Sequence, residues 1–127
     1  MIVSSINSNS SNPSFQYSNV LKTLYKKGKL PSVQFDVMGN KLTRKNVTLD
    51  HIIPRSKGGK SSLENYMLAT KDFNNKRGAD PIDQWANMKG VLKYLMQFAD
   101  VNVGNFKGND YIKSVMETLG KVFKFEG

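Results

Sequence analysis

Cysteine is absent from the 127 residues, which excludes disulfides and thiolate-bound zinc. No apolar run is long enough to span a bilayer. The N-terminus offers only Ile2, Val3 and Ile6 before a Ser/Asn tract, far short of a signal-peptide core. These absences predict an intracellular, cytoplasmic chain with no membrane partner. Acidic residues are scarce as well: ten Asp and Glu face nineteen Lys and Arg, leaving a net charge of +9 at pH 7. Such an excess draws a chain toward polyanions and makes nucleic acid the leading partner class. Histidine occurs once, at position 51. Internal repeats are lacking, and Gly58 and Gly59 sit in no Walker sequence, so they read as turn formers rather than a phosphate cradle.

What remains is enough for one domain. The length suits a single core, and 39% hydrophobic residues with thirteen aromatics can fill it. Residues 1–14, rich in Ser and Asn, bury too little to offset the entropy of ordering and are expected to be a disordered arm. Residues 15–127 form the expected domain. Ser18 is placed to cap a short helix carrying Val20, Leu21, Leu24 and Tyr25, which stops at Lys27 and Gly28. Two strand-like runs, Val33 to Val37 and Asn46 to His51, flank turn chemistry at Gly39 and Asn40 and read as a hairpin.

Pro54 ends the second run, a polar loop follows, and a short helix from about Lys71 to Arg77 stops at Gly78. Two amphipathic helices complete the chain. The first carries Ile82, Trp85, Met88, Leu92, Leu95 and Ala99, the second Ile112, Val115, Met116, Leu119, Val122 and Phe123. The expected fold is α+β: a β-β-α core over about 33–78 between an N-terminal helix and a helical extension over 81–127.

Charge gathers on that core. Residues 41–78 hold nine basic and three acidic side chains, together with the sole histidine. Hydrolysis of a phosphodiester needs a base for water, an electrophile for the developing charge and the departing 3′ oxygen, and cations to hold the polyanion. His51, with an ordinary pKa near about 6.5, is a base at neutral pH. Asp50 and Asn74 offer hard oxygens to Mg²⁺, which takes only one or two from a protein. Adjacent strand residues point to opposite faces, so the strand must end or distort at Asp50 and His51. Charged residues mostly solvate a surface. The clustering of Arg55, Lys57, Lys60, Lys76 and Arg77 near His51 nevertheless favours phosphate contacts, the arginines gripping best.

The run Leu49-Asp50-His51-Ile52-Ile53-Pro54-Arg55-Ser56-Lys57-Gly58-Gly59, followed by Leu63-Glu64-Asn65 and Asn74-Asn75-Lys76-Arg77-Gly78, resembles the HNH endonuclease family. The resemblance covers roughly residues 33–78. It implies a ββα-metal (His-Me finger) core with His51 as general base. Asp50 and Asn74 would hold a divalent ion, Mg²⁺ with Mn²⁺ able to substitute, and Asn65 would pin the intervening loop as part of the catalytic set. Where many relatives have a third histidine, this chain has Asn74, with Asn75 as the fallback because one residue rotates a helical side chain by about 100°.

Many relatives also bind a structural zinc through two Cys-x-x-Cys pairs. The corresponding positions are Phe35 with Met38 and Thr70 with Phe73, so no structural zinc is expected and a small apolar cluster should replace it. The function implied is metal-dependent endonucleolytic hydrolysis of DNA, as a nick or a double-strand break. The competing readings are a nucleic-acid-binding module that keeps the shape without the chemistry, and a packaging accessory of the kind a small stand-alone phage protein would be, located in the host cytoplasm.

Overall fold

The computed structural model describes residues 19–123. The Ser/Asn arm over 1–14 and the Ser18 cap lie outside the described residues. Helix α1, Val20–Lys26, buries Leu21 and ends before Gly28, whose φ of 72° only glycine adopts freely. Together with the strands that follow, it makes the chain α+β.

The strand pairing departs from the expected hairpin. Strand β1, Val47–His51, runs antiparallel to β2, Tyr66–Thr70, with Val47 opposite Thr70 and His51 opposite Tyr66. Every residue of β2 is buried, so the run has none of the apolar-polar alternation that betrays a half-exposed strand. The segment expected as the first strand, 33–37, keeps only one bridge, Phe35 to Lys41. Asp36 is the reason. Its Oδ1 accepts from the amides of Met38 and Asn40 at 3.0 Å each, curling the chain into a tight turn.

The same carboxylate corrects a second expectation. Phe35 and Met38 are 43% and 41% exposed, so they do not join Thr70 and Phe73 in an apolar cluster. Instead Asp36 Oδ2 accepts from the Thr70 amide at 3.1 Å, the Thr70 hydroxyl at 3.0 Å and Asn40 Nδ2 at 3.3 Å. The turn at 35–38 and the end of β2 are thus joined through one buried carboxylate with five donors. Of the four positions only Phe73 packs as an apolar side chain in the core, edge-on to Trp85. Asp36→Asn turns one acceptor oxygen into a donor facing buried N–H and O–H groups. It is expected to cost about 1–3 kcal/mol, readable as a lowered urea midpoint.

Thr70 then caps helix α2, Lys71–Arg77, its Oγ1 accepting from the Phe73 amide, and Gly78 ends the helix as its sequence predicts. The first C-terminal helix is shorter than its apolar pattern suggested. Ile82–Gln84 is a separate 3₁₀ turn, and α3, Met88–Met96, starts only at Asn87, whose Oδ1 accepts from the Gly90 amide. Its buried face is Val91, Tyr94 and Leu95, while Leu92 is exposed. After a small hairpin, β3 Asn102–Val103 with β4 Phe106–Lys107, helix α4 spans Gly108–Leu119 and buries Tyr111, Val115 and Leu119.

These two helices finish the sheet. The Leu68 amide donates to Tyr94 Oη at 2.8 Å, Tyr111 Oη donates to the Tyr66 carbonyl at 2.6 Å, and the two hydroxyls lie 3.0 Å apart. Since Tyr111 gives its proton to Tyr66, Tyr94 donates to Tyr111. Burial pushes both phenols well above their ordinary pKa, so the chain of donors stays intact. The free edge of β2 is satisfied by side chains, which fixes β2 and, across the ladder, the end of β1.

Candidate functional site

The site forms where β1 ends. Thr48 and Asp50 face α2, and the next helical turn supplies a partner for each. Asn74 Nδ2 donates to Thr48 Oγ1 at 2.9 Å and to the Leu49 carbonyl at 3.2 Å. Arg77, three residues on, donates through Nη1 to Asp50 Oδ2 and to the His51 carbonyl, both at 2.8 Å, through Nη2 to the Ile52 carbonyl at 2.6 Å, and through Nε to the Asp80 carbonyl at 2.9 Å. Residues at this spacing share a helix face, so one face of α2 grips the strand end. Asn75 is exposed and takes no part.

Arg77 corrects the sequence reading. It is 1% exposed and cannot touch a DNA phosphate. Its guanidinium neutralises Asp50, itself 4% exposed, and gathers three carbonyls. Burial pushes the Asp50 carboxyl above the usual carboxylate range, while the guanidinium at 2.8 Å pulls it back. Oδ2 is held by Arg77, while no side chain among the described residues bonds Oδ1, so that oxygen is left for another partner. The amide of Asn74 is oriented in the same way: its NH₂ is spent on β1, which leaves Oδ1 as the group to be offered outward.

His51 points to the other face of the ribbon. Its ring meets the cross-strand Tyr66 edge-on at 4.8 Å, and Nε2 lies 3.1 Å from Ser61 Oγ. Partial burial lowers its pKa from the ordinary histidine value, and the charges of Arg55 and Arg77 add to that, which favours the neutral ring. The strand ends at His51, placing imidazole and carboxylate on two flanks of one terminus.

The loop that follows is closed by Asn65. Its Oδ1 accepts from the Ile53 amide at 2.9 Å, and its Nδ2 donates to the carbonyls of Ile53 at 3.0 Å and Lys60 at 2.8 Å. Gly59 fits only because it has no side chain: a Cβ there would stand 1.7 Å from the Ile53 carbonyl oxygen. Arg55, Lys57 and Lys60 are exposed on this loop, and Lys76 is exposed on α2 at 3.1 Å from Asp72.

Because Arg55 disfavours the imidazolium, Arg55→Gln should raise the His51 pKa toward 6.5. An NMR titration of the single histidine is expected to show an upward shift in its midpoint. An unchanged midpoint would remove Arg55 from its surroundings.

Among the described residues, no three of His, Cys, Asp and Glu gather as a metal cluster. A carboxylate with an amide oxygen is nonetheless a donor set that suits a hard divalent cation completing its shell with water and phosphate. Sequence reasoning passed over Thr48, Ser61 and the structural role of Arg77. Thr48 was findable as the same-face neighbour of Asp50. Ser61 had no signal, since it reaches His51 only through the fold of the loop. Residues 39–80 match the family model described as HNH endonuclease. Neither a curated protein nor a solved structure matches the chain.

Proposed function

Residues 39–80 belong to the HNH endonuclease family, and on that premise we propose that the protein is a divalent-metal-dependent endonuclease that hydrolyses DNA phosphodiester bonds. The observation that carries this reading is the grip of α2 on the end of β1. It frees one oxygen each of Asp50 and Asn74, while His51 stands neutral on the opposite flank.

His51 Nε2 lies 3.1 Å from Ser61 Oγ; in the tautomer that donates from Nε2 to that hydroxyl, Nδ1 is the base that takes a proton from water. Asp50 and Asn74 would hold Mg²⁺, or Mn²⁺ in its place, and the ion would supply Lewis-acid stabilisation of the charge that develops during hydrolysis. Pairing Asp50 with Arg77 keeps the site from cancelling the charge of the cation. Arg55, Lys57, Lys60 and Lys76 hold the DNA backbone, and Asn65 keeps the loop that carries the first three against the strand. One such centre cuts one strand.

Supercoiled plasmid with Mg²⁺ or Mn²⁺ is expected to relax, and a chelator should abolish the reaction. Asn74→Ala should raise the Mg²⁺ concentration for half-maximal rate by about tenfold or more, with Asn74→Asp much closer to the native chain. Plasmid left supercoiled under both ions would overturn the enzymatic reading in favour of a binding module. An Asn74→Ala chain with the native Mg²⁺ requirement would remove Asn74 from the ion.

A further inference from the structure

The tight turn around Asp36 leaves two large apolar side chains in the open, Phe35 and Met38. This turn is held rigidly. Gln97 Oε1 accepts from the amides of Gln34 at 2.8 Å and Phe35 at 3.0 Å, and its Nε2 donates to the Phe35 carbonyl at 2.9 Å. Helix α3 crosses beneath the turn at Gly90, where a Cβ would stand 2.8 Å from the Val37 carbonyl oxygen. Between turn and helix lies a groove of about 600 Å³ with Phe35, Met38 and Trp85 among its walls and Lys89 and Lys93 on its rim.

The groove carries unbalanced charge. Both lysines are exposed, one helical turn apart, and neither forms an ion pair among the described residues. Its one carboxylate, Asp36, is buried and turned to its own five donors. Flat apolar walls with two free ammonium groups suit a ligand made of rings on a polyanionic backbone. An acidic peptide would use the lysines and waste the aromatic walls. Paired bases in a duplex would present phosphates but keep their ring faces stacked.

Asp36 bonds Thr70, four positions along β2 from Tyr66, the cross-strand neighbour of His51. At about 3.3 Å per strand residue the two ends are roughly 13 Å apart, a few nucleotides of chain.

We propose that this groove binds unpaired nucleotides of a single-stranded segment flanking the phosphate presented to His51. The cleavage position rests on the nuclease reading above, but the affinity of the groove does not. Bases stack on Phe35 and Trp85 while Lys89 and Lys93 pair with the phosphates. The substrate class is therefore DNA with a single-stranded arm beside a duplex, such as a flap or fork.

Trp85 is the only tryptophan, so its fluorescence reports the groove directly. Titrating the full chain, in chelator so that DNA stays intact, with an oligothymidylate is expected to quench Trp85 and to saturate at lower concentration than a duplex of equal length. Phe35→Ala and the double variant Lys89→Glu with Lys93→Glu should each weaken oligothymidylate binding about tenfold with unchanged melting. In Mg²⁺ these variants should lose preference for a flap over a plain duplex. Unchanged fluorescence, equal affinity of Phe35→Ala, or equal quenching by an acidic peptide would overturn the proposal. Quenching without any cleavage would uphold the groove and reject the nuclease reading, so the two fail separately.

Discussion

His51→Ala is expected to lower the single-turnover rate of DNA cleavage about 10²- to 10⁴-fold, the range a positioned general base contributes. DNA affinity measured in chelator should stay within a factor of about two, because the positive surface of Arg55, Lys57, Lys60 and Lys76 is untouched. The ring is only partly buried and hydrogen-bonds one serine, so its loss leaves the fold standing. The effect therefore belongs to the rate. Burial and two nearby arginines keep the imidazole unprotonated, and no other histidine exists to take over. Native-like cleavage by a folded His51→Ala chain would remove His51 as the base.

Arg77→Ala should instead act on stability, lowering it by about 3–5 kcal/mol because it strands a buried carboxylate. Asp50 is 4% exposed and, among the described residues, has Arg77 as its one ion-pair partner. The carbonyls of His51, Ile52 and Asp80 lose their donor in the same step. Set against the roughly 5–15 kcal/mol that holds a typical domain together, this brings the protein near its unfolding threshold, a shift that urea denaturation followed by circular dichroism would show. Arg77→Lys should recover only part of the loss, since one ammonium cannot span an acid and three carbonyls fixed by the fork of a guanidinium. A change below about 1 kcal/mol for Arg77→Ala would mean that the buried pair is not what organises the end of the strand.

The sequence made the chemistry easier to read than the architecture. Asp50, His51 and Asn74 stood out because their types suit phosphodiester hydrolysis, Asn65 stood out through the resemblance to the HNH endonuclease family, and helix α2 was marked by its Gly78 stop. Strand β2 was hidden because burial on both faces removes the alternation that marks a strand. The segment over 33–37 looked extended, but Asp36 curls it into a turn through the amides of Met38 and Asn40, and its other oxygen ties that turn to Thr70 some thirty residues later, a partner that no local pattern displays. Arg77 was misread for a related reason. Charge clustering suggests a surface that meets phosphate, whereas a guanidinium three residues beyond Asn74 lies on the helix face turned toward β1. Tyr94 and Tyr111 were on neither of the apolar faces read from the pattern, and their hydroxyls complete the sheet only once α3 and α4 are placed beside its free edge.

The chemistry of the cut ends tests the central claim most directly. On the proposed mechanism, water activated by His51 would displace the 3′ oxygen and leave a 5′ phosphate and a 3′ hydroxyl. Plasmid relaxed by the protein in Mg²⁺ should then be resealed by DNA ligase without any prior end repair. Plasmid that is never relaxed, or nicks that ligase cannot close, would contradict the account.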